Sequence, residues 1–120
     1  MLRRWTVPLV TVAVLAMATA ADASAPPVGP LPPGPITTIS TLEDSLVSVA
    51  LPTGTQGRVW RQARPLDPKV LGEVAEADVG PSVVIVFKAV GKGSTKVVYG
   101  LTRGETRKAY AAATFVVRVR

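Results

Sequence analysis

After residue 35, the chain consists mainly of short runs in which apolar and polar residues alternate. In the run 46–51, Val47, Val49 and Leu51 fall on one face of an extended chain, which is the period of a half-buried strand. Residues 83–89 are apolar at nearly every position, so we expect this strand in the middle of a sheet. The same reasoning predicts further strands at residues 36–39, 59–62, 95–101 and 113–119.

Turn residues separate these runs, and no segment carries a long apolar stripe at helical period. Residues 70–75 fit either a short strand or one helical turn, whereas residues 103–108 are polar and are expected to form an exposed loop. About seven short strands predict an all-β fold, an Ig-like antiparallel β-sandwich. Trp60 is expected in its core, without the disulfide of antibody domains because the chain has no Cys.

The first 35 residues follow a different pattern. Residues 1–25 start with basic Arg3 and Arg4, continue with an apolar run and end in small residues, so we expect a signal peptide and a secreted, periplasmic or cell-surface protein. Residues 26–35 read PPVGPLPPGP, a proline content that predicts an extended proline-rich arm. This arm is interpreted as a spacer, as a ligand for a proline-binding groove or as a disordered terminus. The sandwich domain is expected at residues 36–120.

A net charge of +6 raises the question of a polyanionic partner. The basic residues are spread over several segments, without a nucleic-acid motif or a set of base-stacking aromatics. We therefore expect no nucleic-acid partner and interpret most of these charges as solvated strand faces and loops. A weak, salt-sensitive attraction to an anionic cell envelope stays open as an alternative.

Residues for catalysis are scarce. The chain contains no His and no Cys, which excludes triads that need a His and zinc sites of the Cys/His type. Glu73, Glu76 and Asp78 are close in sequence but lack the spacing of an EF-hand loop, so we expect a solvated loop there. The sequence therefore predicts a non-enzymatic protein with no cofactor, no metal site and no small-molecule substrate.

The order of parts after residue 42 carries a family resemblance. The parts are a strand ending in Leu51-Pro52, a turn at residues 53–57, Trp60, a central strand at residues 83–89, Arg103, and a last strand with Phe115. This order resembles the chagasin family of cysteine-protease inhibitors. The resemblance implies a small secreted Ig-like domain that presents three loops at one end to the active-site cleft of a papain-type cysteine protease.

The same resemblance places the protein-binding residues in two of these loops. The first loop comprises Thr53, Gly54, Thr55, Gln56 and Gly57. Its backbone groups would line the cleft near the catalytic Cys of the protease. The third loop contributes Arg103, Gly104 and Glu105, with Arg103 directed at a carboxylate or carbonyl of the cleft rim. Gly54 and Gly104 stand where the family has proline, so both loops are expected to be loose. The second loop is expected near residues 78–81.

A second interpretation belongs to a different class of function. Residues 89–97 resemble bacterial Ig-like modules of surface proteins, in which a strand follows a similar Gly-Thr turn. Under this interpretation the protein is a structural or envelope-associated module that binds a cell-surface polymer or a protein partner.

Overall fold

The computed structural model of the protein describes residues 26–120. The predicted signal peptide, residues 1–25, lies outside these residues. The strands are β1 (Ile36–Thr41), β2 (Leu46–Pro52), β3 (Arg58–Gln62), β4 (Leu71–Asp78), β5 (Ser82–Ala89), β6 (Gly93–Arg103) and β7 (Ala109–Val119). Within residues 26–120 no helix is long and apolar enough to cross a membrane.

These strands form two sheets. The four-stranded sheet has the order β1-β7-β6-β3, and the three-stranded sheet has the order β2-β5-β4. The predicted all-β, Ig-like sandwich is thereby confirmed. The apolar strand β5 lies between β2 and β4, as its continuous apolar run predicts. The segment that fitted both a strand and a helical turn forms strand β4, because it finds a partner along β5.

The core between the sheets is built from the inward-facing residues of the strands, which alternate with outward-facing residues along each strand. Its largest fully buried apolar side chains are Phe87, Leu71, Ile85, Val97 and Val117. Trp60 packs against this core at one side and donates its indole N–H to the carbonyl of Pro52 at 2.7 Å. An aromatic ring at the margin of an aliphatic core is therefore fixed in orientation by a hydrogen bond.

One strand pair differs from the predicted antiparallel sandwich. β1 runs parallel to β7, with Ile36 opposite Thr114 and Thr41 opposite Val119. The other pairs in residues 36–119 are antiparallel. No hairpin joins β1 to β7, so no turn forces these two strands to run in opposite directions.

The prediction of a solvated loop for the acidic residues is wrong. Glu73, Glu76 and Asp78 lie on β4, at the edge of the three-stranded sheet, where they remain exposed. The segment has few β-branched residues, but its backbone pairs with the strongly apolar β5 and is held extended by that pairing. Charged side chains on an edge strand oppose pairing with a second chain.

The charge of Glu73 is expected to lower stability at neutral pH. Desolvation at the sheet raises the pKa of its carboxyl, and the nearby Glu76 carboxylate raises it further. The folded protein therefore holds the Glu73 proton more tightly than the unfolded chain, and this stabilising contribution is lost as the pH rises through the folded-state pKa. Glu73→Gln is expected to raise the thermal midpoint at pH 7, and the gain should disappear below the ordinary pKa of 4.5.

Thermal unfolding at pH 7 and at pH 3 to 4 measures this effect, the acid range lying below the ordinary pKa of Glu. Glu43→Gln, at an exposed position in the β1–β2 turn, is the matched control. A gain for Glu73→Gln of the same size at both pH values would contradict the electrostatic explanation.

The proline-rich arm, residues 26–35, differs from the expected spacer or disordered terminus. It contains neither strand nor helix, yet Val28 is only 7% exposed. The Gly29 N–H donates to the carbonyl of Arg107 at 2.7 Å, and the carbonyl of Pro35 accepts from the Thr114 N–H at 3.0 Å. Proline keeps the arm out of the sheet ladder, but its apolar side chains still gain from burial, so the arm belongs to the folded domain.

Candidate functional site

Three loops meet at one end of the sandwich. The first loop (residues 53–57) joins β2 to β3, the second loop (residues 79–81) joins β4 to β5, and the third loop (residues 104–108) joins β6 to β7. Hydrogen bonds connect the first loop to each of the other two. The structure therefore brings the two predicted binding loops together, with Arg103 as the last residue of β6.

Thr53 holds the first loop against the second. Its backbone N–H donates to the carbonyl of Pro81 at 3.0 Å, and its hydroxyl donates to the carbonyl of Gly80 at 2.6 Å. Two bonds from one residue fix both the position and the side-chain rotamer of Thr53. Its contribution to a binding surface is therefore to anchor the loop.

Both backbone polar groups of Gly104, its N–H and its carbonyl, form hydrogen bonds. Its N–H donates to the carbonyl of Gly57 at 3.3 Å, and its carbonyl accepts from the hydroxyl of Thr102 at 2.8 Å. The φ of Gly104 is +58°, a left-handed conformation that costs glycine little. The expected looseness of the third loop is not what the structure shows, because hydrogen bonds replace the stiffness of a proline.

Gly54 also has a structural reason to be glycine. A Cβ at this position would overlap the carbonyl oxygen of Arg58 and would lie 3.0 Å from a methyl group of Leu101. The first loop is therefore packed tightly onto β3 and β6 at Gly54. Close packing, and not flexibility, accounts for this glycine.

The exposed tip of the first loop consists of Thr55, Gln56 and Gly57. The Arg58 N–H closes the turn by donating to the carbonyl of Thr55 at 3.1 Å. Gln56 has a φ of 60° and Gly57 a φ of 75°, so two successive residues are left-handed. Left-handed backbone at a non-glycine residue costs of order 1 kcal/mol, which the surrounding turn must hold in place.

Positive charge surrounds the base of the third loop. The guanidinium of Arg58 lies 3.9 Å from the ring centroid of Tyr110, and the ammonium of Lys108 lies 4.9 Å from it. Arg103 is exposed beside them, and Glu105 adds one acidic group at the tip. Arg58 and Tyr110 were not predicted from the sequence as part of this end. Alternation along β3, which puts Arg58 on the same face as Trp60, was the signal available.

A cleft of about 360 Å³ opens beside the first loop. Its lining residues are Thr53, Gly54, Arg58, Val59, Trp60, Glu76, Asp78 and Val83. The cleft therefore combines apolar side chains with acidic groups from β4 and one guanidinium from β3. In residues 26–120 no group of acidic side chains is placed to hold a metal ion.

The architecture matches two solved structures. The cysteine protease inhibitor EhICP2 from Entamoeba histolytica superimposes with a TM-score of 0.53 and 19% identity, over 74% of this chain and 99% of that chain. The chain has the chagasin-type fold. The solution structure of amebosin matches it with a TM-score of 0.50 and 18% identity, over 74% of this chain and 100% of that one.

Sequence comparison adds nothing to this structural match. No protein-family model and no curated protein matches the sequence. Likeness at these identities shows the fold, so the predicted resemblance is confirmed at that level. The binding roles given to residues 53–57 and to Arg103, Gly104 and Glu105 stay predictions within the chagasin-type fold.

Proposed function

We propose that the protein is a non-enzymatic inhibitor that inserts its three-loop end into the active-site cleft of a papain-type cysteine protease. The observation that carries the proposal is the hydrogen-bonded union of the three loops at one end of the domain. The similarity to EhICP2, which is described as a cysteine protease inhibitor, supports it. The signal-peptide pattern of residues 1–25 supports an extracytoplasmic site of action.

The first and third loops make different contacts with the protease in this proposal. The exposed tip at Thr55, Gln56 and Gly57 enters the cleft and offers backbone donors and acceptors near the catalytic Cys of the protease. Arg103 binds a carboxylate or carbonyl at the rim, for which a guanidinium supplies several fixed donors. Glu105 needs a cationic or hydrogen-bonding partner on the protease, since burial of an unpaired carboxylate is costly.

Rigidity is the physical basis for tight binding by such an end. A loop that is ordered before binding loses little conformational entropy when it docks. Bonds from Thr53 to the second loop and from Gly104 to the first loop restrict the loops in the free protein. This preorganisation offsets the absence of an aromatic anchor at position 105, where the chagasin family has Trp.

Titration of papain with the purified protein tests the proposal, with residual activity followed at ionic strengths of about 0.05 and 0.5 M. We expect inhibition at micromolar protein or below, with little change between the two salts, because cleft insertion depends on shape and hydrogen bonding. Arg103→Ala is expected to weaken inhibition roughly tenfold, equivalent to about 1.4 kcal/mol. Arg118→Ala, an exposed Arg of the same sheet on β7, is the matched control and should leave inhibition unchanged.

Three results would count against this proposal or a part of it. Absence of inhibition at micromolar protein would leave the chagasin-type fold without the inhibitory function. Equal inhibition by the parent and by Arg103→Ala would remove Arg103 from the contact surface. Binding to anionic polymers that weakens steeply with salt would favour the envelope-associated module instead.

A further inference from the structure

The proline-rich arm lies across the outer face of the four-stranded sheet. A Cβ at Gly100 of β6 would lie 2.9 Å from Val28 and 3.0 Å from Leu31, so both arm side chains rest on the bare backbone of that glycine. Further along, a Cβ at Gly34 would overlap the carbonyl of Ala112 on β7. Two glycines, one on each partner, therefore allow close contact between arm and sheet.

Arg61 connects this arm to the third loop. Its side chain is on the outer face of β3, since its neighbour Trp60 faces the core. Nη1 donates to the carbonyl of Pro26 at 2.8 Å, and Nη2 donates to the carbonyl of Thr106 at 2.6 Å. Nε donates to the hydroxyl of Thr102 at 3.1 Å. One guanidinium thus binds the arm, the sheet and the third loop with separate nitrogen atoms.

The hydroxyl of Thr102 extends this set of bonds. Thr102 is 0% exposed. Its hydroxyl accepts from Arg61 and donates to the carbonyl of Gly104 at 2.8 Å. Two carbonyls of the third loop are therefore connected to Arg61. The Thr106 carbonyl accepts directly from Arg61, and the Gly104 carbonyl is connected through Thr102. Hydrogen bonds that involve a charged group are the stronger kind.

A second bond joins the arm to the loop without Arg61. The Gly29 N–H donates to the carbonyl of Arg107 at 2.7 Å. Beside this bond, a groove of about 540 Å³ lies between residues 29–32 and residues 107–109. Because this groove separates the arm from the loop, few side chains of the two segments pack together. The arm and the loop are therefore connected mainly by hydrogen bonds.

We propose that Arg61 and the proline-rich arm form a clamp that sets the conformation of the third loop, with Arg61 as a positioning residue for the binding end of the protein. The consequence for protease inhibition rests on the proposed function, whereas the effect on the loop itself does not. The arm thus supplies, from outside the loop, the stiffness that a proline at position 104 would have supplied from within it.

Amide hydrogen exchange by NMR tests the clamp in the parent protein and in Arg61→Met, which keeps an unbranched apolar stem and removes the guanidinium with its donors. The reporting amides are Gly104, Thr106 and Gly29, each bonded to a carbonyl in the free protein. We expect exchange at all three to become about tenfold faster, while the amides of β5 change much less. Arg61→Lys, with one charged donor group, should give an intermediate effect.

Arg118→Met, on the same sheet, is the control for loss of a basic side chain. If the parent inhibits papain, Arg61→Met should weaken inhibition about tenfold, mainly through faster dissociation. Unchanged exchange at Gly104 and Thr106, or an equal rise at every amide including those of β5, would overturn the clamp. Faster loop exchange with unaltered inhibition by an inhibitory parent would overturn the positioning role. A parent that does not inhibit papain would contradict the proposed function alone, because the exchange experiment still decides the clamp.

Discussion

Replacing Phe87 with Ala is expected to lower the free energy of unfolding by about 3–5 kcal/mol. Phe87 is 0% exposed and is the largest of the fully buried side chains. It sits on the central strand β5, so each sheet neighbour of that strand is affected by its loss. The surrounding aliphatic side chains are branched and stiff at χ1, so they cannot collapse to fill the space of a lost ring.

Urea denaturation monitored by Trp60 fluorescence measures this loss. Phe87→Leu, which keeps most of the volume, is expected to lose about 1 kcal/mol and serves if the Ala variant does not fold. Val74→Ala on β4, where the side chain is 55% exposed, is the surface control and should change stability by less than about 0.5 kcal/mol. A loss below 1 kcal/mol for Phe87→Ala would mean that the core is not closely packed around this ring.

Replacing Gly54 with Ala is expected to affect stability and inhibition together. Its Cβ would overlap the carbonyl of Arg58, so the first loop must move away from β3. Backbone displacement of this kind costs about 1–3 kcal/mol. Because the loop also carries the proposed contact surface, inhibition of papain should weaken by at least about tenfold, in keeping with the sensitivity of preorganised sites to small displacements.

Gly57→Ala is the matched change in the same loop. Nothing lies within 4 Å of a Cβ at Gly57, and its φ of +75° is the obstacle that remains. This strain should cost about 1 kcal/mol and leave the carbonyl of Gly57 bonded to Gly104. Unfolding curves for the two variants would distinguish packing from backbone strain, since Gly57 also lies in the proposed contact surface and its inhibition data would mix the two effects. Equal effects in both would contradict a special role for close packing at Gly54.

Much of the fold follows from residue alternation. Val47, Val49 and Leu51 are buried on one face of β2, and the apolar β5 is central, as their patterns predict. These predictions succeed because the period of a strand depends on local backbone geometry alone. The parallel pairing of β1 with β7 is different in kind, since it depends on contacts between opposite ends of the domain.

The candidate site was less accessible from sequence. The predicted loops do lie together, because their places between strands fix the end of the sandwich at which they emerge. The bonds that hold them were not predictable: Thr53 reaches the second loop, and Arg61 reaches the arm, across long separations in sequence. Substitution of proline by glycine suggested loose loops, since sequence shows the lost local constraint but not the distant contacts that replace it.

The parallel pair also determines when the domain can be completed. Among the strands of residues 26–120, β1 leaves the ribosome first and its partner β7 last, and the arm before β1 rests on β6 and β7 as well. Contacts so distant in sequence make folding slow. Strands that are synthesised early keep unpaired edges until their partners have been synthesised. The three-stranded sheet can form from β2, β4 and β5 during synthesis. The four-stranded sheet, and with it the clamp on the third loop, is assembled only after β7 has been synthesised.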